Sequence, residues 1–221
     1  MTAAALLHLL QFASPALPIG GYSYSQGLET AIDAGDVVDA ASARAWIACC
    51  LEEVMARWEG PVLWRLMEAM ARADEAAVAL WSERFIASRD CAELRAETIQ
   101  MGYSLTRLLA ELQLHALQDA GAEVALPTAF ARAVHALGIA PGEALLASLF
   151  AWAENQVLVC VKSVPLGQVA GQRLLLSLAP VIEAAAQTAR TLEDDQLSNF
   201  APGLAILSMR HETQNGRIYR S

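Results

Sequence analysis

The sequence has few charged and few aromatic residues, and it lacks the motifs of common enzyme classes. Charged side chains make up 18% of the 221 residues and aromatic ones 6%, whereas hydrophobic residues make up 55%. It contains neither a G-x-x-x-x-G-K-[ST] phosphate loop nor a G-x-S-x-G nucleophile elbow. The formal net charge of −9 argues against nucleic-acid binding, because basic surfaces bind the phosphate backbone. We therefore predict a protein that is not an enzyme.

Metal-ligand spacing is also missing. The four histidines and four cysteines are spread along the chain, with no H-x-x-x-H or C-x-x-C pattern. His211-Glu212 is the one adjacent pair of a histidine and a carboxylate, and it is a weak candidate. We predict no metal site and no cofactor of the protein's own, with the cysteines reduced in a cytoplasmic protein. These residues are His8, His115, His135 and His211, and Cys49, Cys50, Cys91 and Cys160.

Long uninterrupted apolar runs do not occur either. Charged residues divide the apolar C-terminal half into pieces shorter than the roughly 20 residues that span a bilayer. The N-terminus has no basic region, so it predicts an amphipathic first helix and not a secretory signal. An apolar composition without a membrane span indicates surface that is covered by protein partners. An alanine-rich helical core would also raise the fraction of hydrophobic residues.

Helical periodicity runs from end to end, and no alternating strand pattern appears. The sequence predicts one all-α domain over 1–221, a bundle of about ten helices without a sheet, ending in a mobile tail (210–221). One apolar stripe is expected on the helix 91–118, and another runs from Leu146 and Phe150 to Cys160. The predicted helices are 2–12, 24–34, 39–58, 61–73, 75–88, 91–118, 128–137, 142–162, 166–189 and 197–213.

An uncharged loop, with two prolines (Pro15 and Pro18) and the paired glycines Gly20 and Gly21, leads into the second predicted helix. We call Leu17 to Glu29 the first motif; it reads L-P-I-G-G-Y-S-Y-S-Q-G-L-E. Proline and glycine fix and bend the backbone, and Tyr22 and Tyr24 offer amphipathic rings. Such a loop suits either a docking surface or a well-packed connection between helices, and these residues alone favour the connection.

Two further segments stand out. The second motif, Lys162 to Gln168, follows an apolar helix that Pro165 must end. Lys162 either complements the carbonyl end of that helix or marks a polar spot on a partner-facing surface. After the break, Gly167 and Gly171 lie one turn apart and would let another helix approach closely. The third motif, Glu212 to Ser221, carries arginines and a tyrosine, which often dominate interface energies, although a solvated basic tail is the plainer interpretation.

Together the three motifs resemble the UreF family of urease accessory proteins. They occur in the family's order and at the beginning, middle and end of the chain. The resemblance implies a cytoplasmic homodimer that acts as an assembly chaperone for the nickel centre of urease. It also implies that the protein binds a UreD/UreH-type protein, recruits the GTPase UreG and presents the complex to apo-urease. Nickel and GTP would then belong to the partner complex.

Residues that match the family's motifs are the candidates for partner binding. Arg220 departs from the pattern, which leaves its role open. An alternative function is regulation of GTP hydrolysis on UreG by Lys162 or an arginine of the tail. An unrelated all-α enzyme is a third interpretation without a supporting constellation. The candidates are Pro18, Gly20, Tyr22, Tyr24, Ser25, Gly27, Leu28 and Glu29, then Lys162, Pro165, Gly167 and Gln168, then Arg217, Tyr219 and Ser221.

Overall fold

The structure, a computed structural model, describes residues 2–114 and 123–221. It is all-α, as predicted, and the described residues contain no strand. His115 and the end of the predicted helix 91–118 lie outside the described residues. The α-helices are α1 (Ala3–Phe12), α2 (Leu28–Asp33), α3 (Ala40–Cys50), α4 (Gly60–Ala71), α5 (Glu75–Ala87), α6 (Ala92–Glu111), α7 (Leu126–Ala136), α8 (Pro141–Ser163), α9 (Gln168–Thr191) and α10 (Pro202–His211).

The predicted break at Gly60-Pro61 is wrong, because a π-helix over Leu51–Glu59 joins α3 to α4. The amide of Gly60 donates to the carbonyl of Met55, five residues back, which is the π-helical pattern. Pro61 has no amide to offer the carbonyl of Arg57. That carbonyl instead accepts a hydrogen bond from the amide of Ser198 at 3.2 Å. The π-helical turn therefore lets the helix continue through Pro61, although proline normally ends a helix.

Helices α8 and α9 pack along each other at the centre of the molecule, and α9 also contacts α3, the π-helix and α4. Gly171 permits this close packing, as the sequence predicted, because a Cβ there would lie 2.6 Å from Cγ2 of Val161. Gly167 plays no such part, since its surroundings are open. The core residues of this pair include Leu145, Leu149, Leu174 and Leu178.

The predicted stripe on α8 is wrong in its first half. Leu146 and Phe150 are 40% and 43% exposed, whereas Ala153, Val157 and Cys160 are buried as expected. The buried face begins one position earlier, at Leu145 and Leu149. An alanine-rich helix with leucine at adjacent positions gives two nearly equivalent faces, so periodicity alone does not choose between them.

Helices α8 and α9 are long and apolar enough, by length and composition, to cross a membrane. The core helix of a soluble protein can be equally long and apolar, and both helices contribute heavily to the core described above. We therefore treat them as core helices.

Candidate partner-docking site

The first motif is an irregular, tightly turned segment. Gly20 and Gly27 adopt φ values of 84° and 82°, in the left-handed region that glycine tolerates best. A single 3₁₀ turn occupies Gly21–Ser23, and α2 begins at Leu28. The predicted helix start at residue 24 is therefore wrong, because the left-handed Gly27 interrupts the helix. Gly27 also packs closely, since a Cβ there would lie 3.0 Å from Oγ of Ser208 on α10.

The tail lies on the first motif. The carbonyl oxygen of Ser221 accepts hydrogen bonds from the amides of Ser25 and Gln26, at 2.7 and 3.0 Å, and from the hydroxyl of Ser25. The amide of Arg220 donates to the carbonyl of Ser23 at 2.8 Å. Main-chain bonds of this kind fix the register of the two segments.

Glu29 is the second point of attachment. Its buried carboxylate accepts hydrogen bonds from the amides of Ile218 at 2.7 Å and Tyr219 at 3.0 Å. Its Oε2 also lies 3.0 Å from Nε2 of His211, a residue with no exposed surface. The other ring nitrogen of His211 lies 2.6 Å from Oε2 of Glu93. A carboxylate that accepts several donors compensates the cost of its burial.

Two residues of the third motif hold the start of α6. Arg217 bonds to Glu93 and, at 3.3 Å, to the carbonyl of His211. The side chain of Glu212 accepts from the amide of Ala92 at 2.8 Å, at the positive end of the helix dipole. The tail is therefore attached to α6 as well as to the first motif.

Glu97 on α6 bonds to both the first motif and the tail. Its carboxylate accepts from Nε2 of Gln26 at 2.6 Å and from Oγ of Ser221 at 2.7 Å. The side-chain oxygen of Gln26 in turn accepts from the indole of Trp152 on α8 at 2.6 Å. Burial raises the pKa of Glu97 to about 7, although the bonds from Ser221 and Gln26 act to lower it.

The second motif reaches this site at Lys162. Nζ of Lys162 lies 5.7 Å from the ring centroid of Tyr219, in a cation–π arrangement. Burial raises the pKa of the Tyr219 hydroxyl. Lys162 also lies in the last turn of α8, where a cation complements the helix dipole. Pro165, Gly167 and Gln168 are exposed, and the contacts of the site do not include them.

The candidate residues thus divide into two groups. One group is buried, so a partner does not touch it directly in this arrangement, and several of its members fasten the tail to the domain. The other group is exposed. Gly20 lies between them, half-buried. The buried residues are Tyr24, Ser25, Gly27, Leu28, Glu29, Tyr219 and Ser221, and the exposed ones are Pro18, Tyr22, Lys162, Pro165, Gly167, Gln168 and Arg217.

The structure differs from the expectation of a free tail. Its buried residues bond to α2, α6 and the first motif, and His211 is enclosed although the sequence suggested an end in solvent. The burial follows from the alternation of Tyr219, Arg220 and Ser221, which sends every second side chain inward. In the parts of the chain that the structure describes, no group of three or more histidine, cysteine, aspartate or glutamate side chains is placed to hold a metal ion.

Sequence reasoning missed the residues of α6 and α8 that hold the tail and the first motif. Glu93, Glu97 and Trp152 lie outside the three motifs, on helices that were interpreted only by their apolar stripes. A charged residue at a position that the helical period assigns to the buried face was the available signal. Glu97 is such a position, four residues before Met101.

A cavity of about 200 Å³ lies beneath the first motif. Apolar side chains such as Phe12, Met101 and Phe130 line much of it. Glu97 and the ion pair between Arg89 and Glu59, which are 2.7 Å apart, supply its polar wall.

Comparison with known proteins agrees with the motifs. The UreF family model matches residues 37–179, a range that lies between the first motif and the tail. The chain is 62% identical to the urease accessory protein UreF of Janthinobacterium sp. (strain Marseille), over the whole of both chains. It is 57% identical to the protein of that name from Nitrosospira multiformis, over 98% of each chain. It is 52% identical to the one from Azoarcus sp. (strain BH72), over 98% of this chain and 95% of that one. The chain therefore belongs to the UreF family of urease accessory proteins.

Proposed function

We propose that this protein is a scaffold for inserting the nickel centre of urease. It acts as a cytoplasmic homodimer that binds a UreD/UreH-type protein, recruits the GTPase UreG and presents both to apo-urease. It has no catalytic, metal or cofactor site of its own in this role, and nickel and GTP belong to the partners.

The observation that carries the proposal is the union of the first and third motifs in one site. Segments from opposite ends of the chain meet through Ser25, Glu29 and Ser221, and they leave other motif residues outside. Tyr22, for example, is 58% exposed, whereas Tyr24 and Ser25 of the same motif are buried. A rigid backbone that presents an aromatic ring and an arginine is typical of a protein interface.

Exposed apolar side chains extend the site along α10 and its flanks. Phe200 is 81% exposed, and Ile206, Met209 and Ile218 are each about half exposed or more. Soluble proteins seldom leave several large apolar side chains in water unless a partner covers them. We assign this surface to the UreD/UreH-type partner, because α10 packs on α2 and so continues the united motifs.

Co-purification with the urease operon products tests the scaffold. The full-length protein, tagged at its N-terminus, is expected to retain the UreD-type protein, and UreG only when that protein is present. Ile206→Asp should abolish retention, whereas Val169→Asp, on α9, should not, although Val169 is 65% exposed and Ile206 only 50%. Normal retention by the Ile206→Asp protein would contradict the assignment of α10.

Regulation of GTP hydrolysis is the second candidate, and the position of Lys162 favours it. Lys162 is the only lysine of the chain, and it lies exposed against Tyr219 at the edge of the united motifs. A cation in that place would stabilise charge on a bound nucleotide if UreG docked there. The GTPase rate of UreG in the complex is measured with Lys162→Ala and Lys162→Arg. If the Lys162→Ala protein forms a stable complex with an unchanged GTPase rate, the scaffold role remains. If Lys162→Ala lowers the rate and Lys162→Arg restores it, the protein regulates GTP hydrolysis.

A further inference from the structure

Glu97 joins the tail to the first motif through a carboxyl group that is almost fully buried, at 6% exposure. One of its oxygens accepts from Gln26 of the first motif, and the other accepts from Ser221 of the tail. Gln26 is itself held by Trp152 of α8. The carboxyl group therefore lies where the tail closes over the domain.

The charged groups around Glu97 do not neutralise it. Glu59 of the π-helix repels it, and Arg89, which precedes α6, attracts it. Arg89 is already paired with Glu59 at 2.7 Å, so its charge is largely compensated. Tyr24 lies close enough to interact with both Glu97 and Arg220. Among the described residues, Glu97 forms no ion pair with a lysine or an arginine.

Ionisation of Glu97 is therefore costly while the tail is docked. A carboxylate without a cation loses its hydration on burial, and two hydrogen bonds recover only part of that loss. The pKa of about 7 in the closed arrangement expresses this cost, against an ordinary value of 4.5. When the tail leaves, Ser221 no longer covers the carboxyl group and water reaches it.

We propose that Glu97 makes docking of the tail depend on a proton, so that the closed arrangement binds one proton at Glu97 and releases it on opening. Because the closed state holds the proton more tightly, acid favours closure. Closure weakens as pH rises between the ordinary value for a glutamate and neutrality, and its dependence on Glu97 ends above that range. This switch is a property of the chain by itself and does not depend on which partner binds.

A second titratable cluster in the same tail must be kept apart from this one. It consists of His211 between Glu29 and Glu93, with Arg217 bonded to Glu93. None of these residues bonds directly to Glu97 in the described part of the chain. The test therefore compares variants at Glu97 while the second cluster stays intact.

Hydrogen exchange of the amides of Ser25 and Gln26 reports closure, since both donate to Ser221. Protection factors are measured on the full-length protein at pH 5.5 and 7.5. A protection factor is already corrected for the intrinsic pH dependence of amide exchange. For full rehydration on opening, linkage predicts a roughly 20-fold loss of protection in the wild type from Glu97 alone. Glu97→Gln should lack that loss and keep any contribution of the His211 cluster. Glu111→Gln, an exposed glutamate on the same helix, should behave as the wild type.

Equal pH dependence in the wild type and in Glu97→Gln overturns the proposal, and so does equal protection of the wild type at both pH values. Should Glu97→Gln fail to fold, infrared difference spectra of the wild type and Ser221→Ala decide. A protonated carboxyl band that titrates near pH 7, and at higher pH once the Ser221 donor is removed, supports the proposal. The absence of such a band in the wild type refutes it.

Discussion

The carbonyl oxygen of Ser221 lies 2.7 Å from the amide nitrogen of Ser25, a residue 196 positions earlier in the chain. The same oxygen also accepts a hydrogen bond from the hydroxyl of Ser25, so Ser25 binds Ser221 through both its main chain and its side chain. Bringing such distant segments together costs chain entropy, and buried hydrogen bonds must offset that cost. The strength of this attachment is therefore measurable by removing single acceptors.

Glu29→Gln should loosen the tail. The carboxylate of Glu29 accepts from the amides of Ile218 and Tyr219 and lies 3.0 Å from the ring of His211, whereas an amide keeps one acceptor oxygen and puts a donor in place of the other. Loss of charge-assisted bonds of this kind costs about 1–3 kcal/mol. Exchange protection at the amides of Ile218 and Tyr219 should fall by roughly 5- to 150-fold. Wild-type protection at both amides would show that Glu29 does not hold the tail.

Gly171→Ala should destabilise the domain. The new Cβ would lie 2.6 Å from Val161 and 3.6 Å from Val157, both on α8. Overpacking of this kind typically costs about 1–3 kcal/mol in the free energy of unfolding. Urea unfolding, followed by circular dichroism, measures the change.

Gly203→Ala is the matched control for that change, since Gly203 lies in the first turn of α10 and has open space around it. It should leave the free energy unchanged or raise it slightly, because alanine favours helix more than glycine does. Equal stability of the Gly171→Ala and Gly203→Ala proteins would mean that α8 and α9 have room to separate.

The cysteines should react unequally with alkylating reagents. Cys49 is exposed, whereas burial raises the pKa of Cys50 and of Cys160 to about 12 and also raises that of Cys91. The thiolate is the reactive form, so a buried thiol with such a pKa is nearly inert at pH 8. Iodoacetamide should modify Cys49 in the folded protein and the other three only in urea, as peptide mass spectrometry would show. Rapid labelling of Cys160 without urea would contradict the packing of α8.

The helices were predictable because each has an apolar face and most joints carry glycine, proline or aspartate. The exception at Gly60-Pro61 shows the limit of that rule. Proline ends a helix only where its missing hydrogen bond finds no substitute, and here Ser198, far along the chain, supplies one to Arg57. A single sequence does not reveal such a distant compensation.

The candidate site was predictable in part for a similar reason. The first and third motifs were recognisable by their residues. The roles of Glu93 and Glu97 were not predictable, since a charge at a buried position marks Glu97 as unusual but a buried carboxyl group makes sense only with its donors in place. Gln26, one donor to Glu97, is 71 residues earlier in the chain, and the donors from the tail are 124 residues later.

Arg217→Ala should weaken assembly more than the loss of an exposed charge would. Arg217 bonds to Glu93 and to the carbonyl of His211, and it thereby holds the turn that leads to Ile218. An exposed ion pair alone contributes about 0–1 kcal/mol. If Arg217 also orders the surface that the UreD-type protein contacts, affinity should fall about tenfold or more, which corresponds to about 1.4 kcal/mol. Arg217→Lys should recover only part of that affinity, because an ammonium group does not hold its donors in the fixed plane of a guanidinium.

Arg210→Ala provides the comparison, since Arg210 is exposed in the last turn of α10 and carries the same charge. It should change affinity by no more than a few-fold. A deletion from Asn215 onward removes Tyr219 and Ser221 as well, and it should abolish both partner retention and urease activation while helicity persists. Calorimetric titration with the UreD-type protein, beside circular dichroism of each variant, separates lost binding from lost folding. Full activation of urease by the truncated protein would show that the united motifs stabilise this chain and bind nothing else.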